Sequence, residues 1–271
     1  MIPISKPFVG NLEKKFLFKE VKDGWISSRG KRINQFENQL SKFLKVKYSI
    51  GCANGSSALI LALKALDIKK GDEVIVPDIS FGATINSVIN VGATPVISEI
   101  NINDWCLDVK SLEKRITKKT KAIIAVHLYG QPCDMKKLLQ LKRKHNLFVI
   151  EDAAESFGSK VNGKYTGTIG DIGCYSFFGN KIISTGEGGC CVTQKKKLAE
   201  KLILYKNHGM TDKKRYYHYL VGYNFRMTNL QASLGVAQLK NYRKFEKKRK
   251  YFENFYNKSF KKLDNFVMQR E

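Results

Sequence analysis

Three short segments carry side chains able to do chemistry. In Cys174-Tyr175-Ser176-Phe177-Phe178-Gly179-Asn180-Lys181, followed by Ile-Ile-Ser-Thr-Gly-Glu-Gly-Gly, a single lysine stands in apolar, glycine-rich surroundings. A partly desolvated lysine gives up its proton more readily and becomes a nucleophile able to form a Schiff base. Glycines beside it let a bound molecule approach the backbone closely. The same lysine on an exposed glycine turn would be an ordinary surface residue. In Leu147-Phe-Val-Ile-Glu151-Asp152-Ala-Ala-Glu155, carboxylates leave the end of an apolar run. They suit a metal or a protonated ring nitrogen, and equally an N-cap aspartate. In Ala53-Asn54-Gly55-Ser56-Ser57, hydroxyls and free amides open a helix, which is either a phosphate cup or a plain cap. No Gly-Lys-Ser/Thr follows, so it is not a Walker loop.

Taken together, a phosphate cup, a carboxylate for a pyridinium nitrogen and a Schiff-base lysine are the set that pyridoxal 5'-phosphate (PLP) requires. Phe81, after Pro77-Asp-Ile-Ser, is placed either to stack on such a ring or to pack in the core.

The elements that must position these residues alternate. Short apolar runs at 48–52, 73–76, 95–98, 121–127 and 147–150 predict strands, and helical spacing marks 56–66, 82–91 and 134–145. That order predicts an α/β fold with a mostly parallel sheet flanked by helices. Residues 1–35 read as an extended arm leading to a short helix, and 160–193 as short strands and tight glycine loops. A lysine-rich helix is expected at 195–206, a polar loop at 207–224 and a long basic helix near 228–257. In open α/β sheets, ligands gather at the carboxyl ends of the strands. The clusters 54–57, 77–81, 127–129, 151–155 and 176–181 all follow a predicted strand, as one assembled site requires. Aromatics on the last helix (Tyr242, Phe245, Tyr251, Phe252, Phe255) fall at helical spacing and predict a core stripe backed by a solvated face.

The 271 residues carry a formal net charge of +24. Such a balance raises nucleic acid or an anionic surface as partners. The excess is mostly lysine, whereas base readout and bidentate phosphate grips favour arginine. A solvated surface with no nucleic-acid and no membrane partner is therefore expected. The six cysteines form no C-x-x-C, which argues against a zinc framework and a disulfide scaffold. No apolar run reaches a membrane span and the start lacks a signal peptide's apolar stretch, so a cytoplasmic protein is expected.

Longer segments carry a resemblance. Gly55-Ser-Ser-Ala-Leu, Gly71-Asp-Glu-Val-Ile-Val-Pro, His127-Leu-Tyr-Gly-Gln-Pro-Cys-Asp-Met, Glu151-Asp-Ala-Ala-Glu-Ser, Gly170-Asp-Ile-Gly-Cys-Tyr-Ser-Phe-Phe-Gly-Asn-Lys and Gly222-Tyr-Asn-Phe-Arg-Met-Thr-Asn resemble the DegT/DnrJ/StrS-type nucleotide-sugar aminotransferases, in order, to about residue 250. The resemblance implies PLP fold type I, with an aspartate aminotransferase-like large domain over 1–245 that includes the N-terminal arm. Residues 246–271 would begin a C-terminal small domain, truncated here. It further implies that Lys181 forms the Schiff base and shuttles protons, Asp152 pairs with the pyridine nitrogen and Glu155 stands near the ring hydroxyl. Ser56, the Ser57 amide and Ser176 would hold the phosphate and Phe81 would stack on the ring. Asn224 would reach the cofactor phosphate of the neighbouring subunit in a homodimer with shared sites. The Glu155 form, with Phe-Gly-Asn-Lys, is most similar to the perosamine-synthase branch. That implies amino transfer from L-glutamate to a nucleotide-diphosphate-linked 4-keto-6-deoxy sugar for surface polysaccharide. Related dehydratases carry His in place of Lys181. A PLP-binding remnant or regulatory homologue, and a basic nucleic-acid binder, are the alternative readings.

Overall fold

Among the described residues, two helices occupy most of 11–44, where an arm leading to a short helix was expected. The computed structural model describes residues 5–211, 213, 214, 216–261 and 263. In it α1 spans Asn11–Lys22 and α2 spans Lys31–Leu44. The expected arm is corrected because its stability is not local. Glu13 accepts the Gly10 N–H at 2.9 Å and the side-chain amides of Gln238 and Asn241 at 3.0 Å. Glu20 takes Arg32 at 2.8 Å and Asn229 at 2.7 Å. Both carboxylates are buried, and a buried charge persists only when paired and hydrogen-bonded.

The rest follows the predicted alternation: β1 Tyr48–Cys52, α3 Gly55–Ala65, β2 Glu73–Pro77, α4 Gly82–Asn90, β3 Thr94–Ser98, a short α5 Val109–Lys114, β4 Thr120–Val126, α6 Met135–His145 and β5 Phe148–Asp152. The glycine-rich stretch forms a small hairpin, β6 Lys160–Val161 and β7 Lys164–Tyr165, then β8 Ile172–Ser176 and β9 Gly189–Thr193. The chain closes with α7 Lys196–Lys206 and α8 Asn229–Phe260.

Seven strands make one sheet in the order β1-β9-β8-β5-β4-β2-β3. β9 is antiparallel to both its neighbours, and every other adjacent pair is parallel. Six strands therefore end on the same edge, the condition for one site built from several strand ends. Alternate residues sort to the two faces. Val74, Val76, Ala122, Ile124 and Ile150 pack with α3, while Ile75, Ile123, Ala125 and Val149 pack with Leu138 and Leu141 of α6. Burial on both faces explains why these strands read as unbroken apolar runs. A third core joins Phe36 and Leu40 of α2 to Tyr175, Phe177, Val236 and Tyr242.

The aromatic stripe of α8 is partly corrected. Tyr242 is buried and Phe245 packs against the core, but Tyr251, Phe252 and Phe255 are exposed. The helix runs past α1 and α2, the elements that cover its first half, so periodicity alone did not locate the end of the core. Among the described residues no helix is long and apolar enough to cross a membrane, and no cluster could hold a metal ion. All six cysteines are buried free thiols.

Candidate active site

A cavity of about 410 Å³ lies at the carboxyl edge of the sheet. Its wall collects the predicted residues Ser56, Phe81, Asp152, Glu155, Ser176 and Lys181. Four strand exits deliver them: Ser56 follows β1, Phe81 follows β2, Asp152 and Glu155 come from the end of β5, and Ser176 and Lys181 from the end of β8.

At the start of α3, Asn54 is the N-cap. Its Oδ1 accepts the Ser57 backbone N–H at 2.8 Å and the Ser57 hydroxyl at 2.9 Å. Ser57 is thereby buried and committed to the cap, whereas Ser56 stands on the cavity wall. The first amides of a helix have no intrahelical acceptor and carry the positive end of its dipole. Opposite them is Ser176, the last residue of β8. A Cβ on Gly55 would come within 2.9 Å of the Ser176 Cβ, so glycine is what lets the start of α3 and the end of β8 approach so closely.

Asp152 ends β5. Thr84 Oγ1 donates to its Oδ2 at 2.9 Å and the Ala154 N–H to its Oδ1 at 3.2 Å. Thr84 is itself 2.8 Å from the Ser80 hydroxyl. The carboxylate is only 6% exposed, and burial pushes its pKa above the usual aspartate value despite both hydrogen bonds. It is a buried acid without a hydrogen-bonded cation, so a protonated ring nitrogen would complete it. Glu155, three residues on, accepts the Tyr129 N–H on Oε2 at 3.0 Å and faces Lys181 Nζ at 3.4 Å on Oε1. Lys181 follows β8 in a turn closed by its own N–H to Phe178 O at 3.0 Å. Phe81 caps α4 with its ring 77% exposed at the cavity.

Two predicted residues are not brought to this wall. Ser57 lies behind it, as described. Asn224 lies elsewhere in its own chain, where its Oδ1 accepts Arg226 Nε at 2.9 Å. Sequence reading missed Thr84, which orients Asp152 and is itself held by Ser80 of the 77–81 cluster, because a single hydroxyl near a helix start is too common to signal. It also left open whether His127 belongs to the site. His127 is fully buried, takes the Cys133 N–H on Nδ1 at 3.1 Å, and so carries its proton on Nε2, 3.0 Å from Glu151 Oε2. Glu151 collects three more donors, the N–H groups of Gly167 at 2.7 Å, Ile169 at 2.6 Å and Gly170 at 2.5 Å. Adjacent strand residues face opposite sides. Asp152 therefore serves the cavity and Glu151 the fold.

An amine, an acid awaiting a cation, paired hydroxyls and helix-start amides match the donor set of PLP group by group, and these residues fit it. The chain is 44% identical over 262 residues to a GDP-perosamine synthase of Escherichia coli O157:H7, covering 97% of this chain and 72% of that protein. Among solved structures it is similar to Helicobacter pylori PseC, an aminotransferase involved in the biosynthesis of pseudoaminic acid. That match has a TM-score of 0.91 and 33% identity over 97% of this chain and 71% of the other. It is also similar to a variant of the GDP-4-keto-6-deoxymannose-3-dehydratase ColD with bound GDP-perosamine, with a TM-score of 0.94 and 28% identity over 100% of this chain and 76% of the other. The chain thus spans about seven-tenths of the length of these relatives. Residues 10–271 match the DegT/DnrJ/EryC1/StrS description, and with the cavity as built above the chain belongs to that PLP-dependent aminotransferase family.

Proposed function

We propose that this protein moves an amino group from L-glutamate to the keto carbon of a nucleotide-diphosphate-linked 4-keto-6-deoxy sugar, of the perosamine type used in surface polysaccharide. The observation that carries the reading is the convergence of Lys181, Glu155 and Asp152 in one cavity with Ser56 and Ser176. PLP, when bound, supplies a carbonyl that captures amines and a ring that accepts electrons from a breaking C–H bond.

The chain's own residues do the rest. With the cofactor bound, Lys181 Nζ would be the amine that holds its carbonyl carbon and the base that lifts and returns the proton at the reacting carbon. Glu155 holds the Lys181 ammonium in place at 3.4 Å and is itself fixed by the Tyr129 N–H. Asp152, steered by Thr84, keeps a proton on the ring nitrogen. Ser56, Ser176 and the Gly55 and Ser56 amides at the start of α3 would hold the phosphate, and Phe81 would cover the ring face. Asn224, lying outside its own cavity, reaches the cofactor phosphate of a second copy, so the working unit is a homodimer. Residues 246–271, of which 262 and 264–271 lie outside the described residues, are assigned to the start of a second unit. α8 runs unbroken through that boundary, and its exposed aromatics beyond Phe245 support the division. Six buried thiols support a reducing, cytoplasmic setting.

The test is transfer of isotopically labelled nitrogen from glutamate to GDP-4-keto-6-deoxymannose, read by mass spectrometry. A labelled amino sugar made by the native protein and lost in Lys181→Ala is the expected result. An unlabelled product, or a labelled one that survives Lys181→Ala, overturns the proposal.

A further inference from the structure

Next to the cavity wall, though not part of its lining, are two aromatic residues whose side chains the proposed chemistry does not use. Trp105 is 42% exposed and Tyr129 is 69% exposed, with ring centroids 6.0 Å apart in an edge-to-face arrangement. Tyr129 directly follows Leu128, a residue of the cavity wall, and its N–H holds Glu155. Both aromatics have left-handed backbone, φ 59° at Trp105 and φ 52° at Tyr129. Bulky residues rarely adopt it, and such strain persists only where the surroundings impose it.

The surroundings here are a stiff loop. The Asn101 N–H donates to Cys106 O at 2.8 Å and the Trp105 N–H to Asn101 O at 2.7 Å, while Asp104 accepts the Cys106 N–H at 2.9 Å. The Cys106 thiol reaches Gln131 O at 3.4 Å and ties this loop to the one carrying Tyr129. The fold therefore holds two large rings in fixed positions beside the cavity and leaves much of their surface in water. An edge-to-face pair keeps one ring face open to a further planar group.

We propose that Trp105 and Tyr129 form the subsite that stacks on the nucleobase of the substrate. The inference rests on the reading of the substrate as nucleotide-linked. If the cavity of about 410 Å³ takes the cofactor and the sugar ring, the nucleotide must extend beyond it, and Tyr129 adjoins the wall through Leu128 and Glu155. A preformed platform spares the ordering cost that flexible aromatics would pay on binding. Stacking reads a planar ring rather than a base edge, so the pair contributes affinity for the base more than choice among bases.

The test uses the full chain loaded with PLP and GDP as probe. Trp25 and Trp105 are the only tryptophans, so Trp25→Phe leaves Trp105 as the sole indole reporter. GDP is expected to quench that fluorescence and inorganic pyrophosphate to leave it unchanged. Trp105→Leu, followed by calorimetry, and Tyr129→Gly are each expected to weaken GDP about tenfold. Tyr129→Gly relieves the left-handed backbone while keeping the N–H to Glu155, so its melting temperature should hold or rise. Native GDP affinity in both variants, equal quenching by pyrophosphate, or no GDP binding by the native chain would overturn the subsite. So would a Tyr129→Gly protein that only loses stability. Bleaching of the cofactor band by glutamate, recorded on the same samples, needs no nucleotide. Its failure counts against the aminotransferase reading and leaves the stacking result to stand alone.

Discussion

Asp152 shows how a single residue can be costly to the fold and useful to the site. Burial raises its pKa from the ordinary 3.8, so the folded chain binds this proton more tightly than the unfolded chain. By linkage, stability falls as pH rises from about the unfolded value through the raised folded value, and stays lower above it. Asp152→Asn removes that penalty. In cofactor-free protein the variant should melt no lower than the native chain at neutral pH, with the difference vanishing in acid below the unfolded value. The same change should weaken PLP about ten- to hundredfold, the loss of a charge-assisted hydrogen bond. Melting curves across pH with and without PLP check both signs, and a variant that is less stable without PLP and binds it normally contradicts them. Lys181, Asp152 and Ser56 were legible in the sequence because each follows a short apolar strand. The fate of the Ser57 amide was not, since Asn54, three positions before it, claims that N–H for the cap, a choice that composition does not encode.

At the scale of elements, the active edge depends on the pairing of β5 with β8, and Glu151 holds the loop that leads into β8. Its carboxylate, itself fully buried, gathers the Gly167, Ile169 and Gly170 N–H groups and His127 Nε2. The loop it holds leads straight into β8, whose end carries Ser176 and then Lys181. Glu151→Gln keeps the shape but sets an amide NH₂ against backbone donors. It should cost about 3 kcal/mol, measured as a lower urea midpoint at unchanged slope. A cost below about 0.5 kcal/mol, the size of ordinary surface changes, would show that the cluster does not hold the loop. The alternation of strands and helices was readable because both faces of the sheet are buried. α1 was not, because Glu13 and Glu20 find partners more than 200 residues away, Gln238 and Asn229, and a local window contains neither.

For the whole molecule, the proposal that Asn224 serves a second copy is open to direct test. Lys181→Ala and Asn224→Ala should each be strongly impaired alone. When the two are mixed and allowed to exchange subunits, half the dimers are hybrid, and each hybrid has one site with both native residues. About a quarter of native activity should return. No recovery would place Asn224 in its own site or outside the site altogether. The net charge of +24 was legible as a number, yet composition could not say where the core of α8 ends, since that is set by where α1 and α2 stop covering it. The most direct measurement of the central claim is the visible spectrum of the purified chain with PLP, recorded before and after glutamate, beside Lys181→Ala. The account predicts an absorbance band that requires Lys181 and bleaches when glutamate is added. A band of equal strength in Lys181→Ala, or one that glutamate leaves untouched, would contradict it.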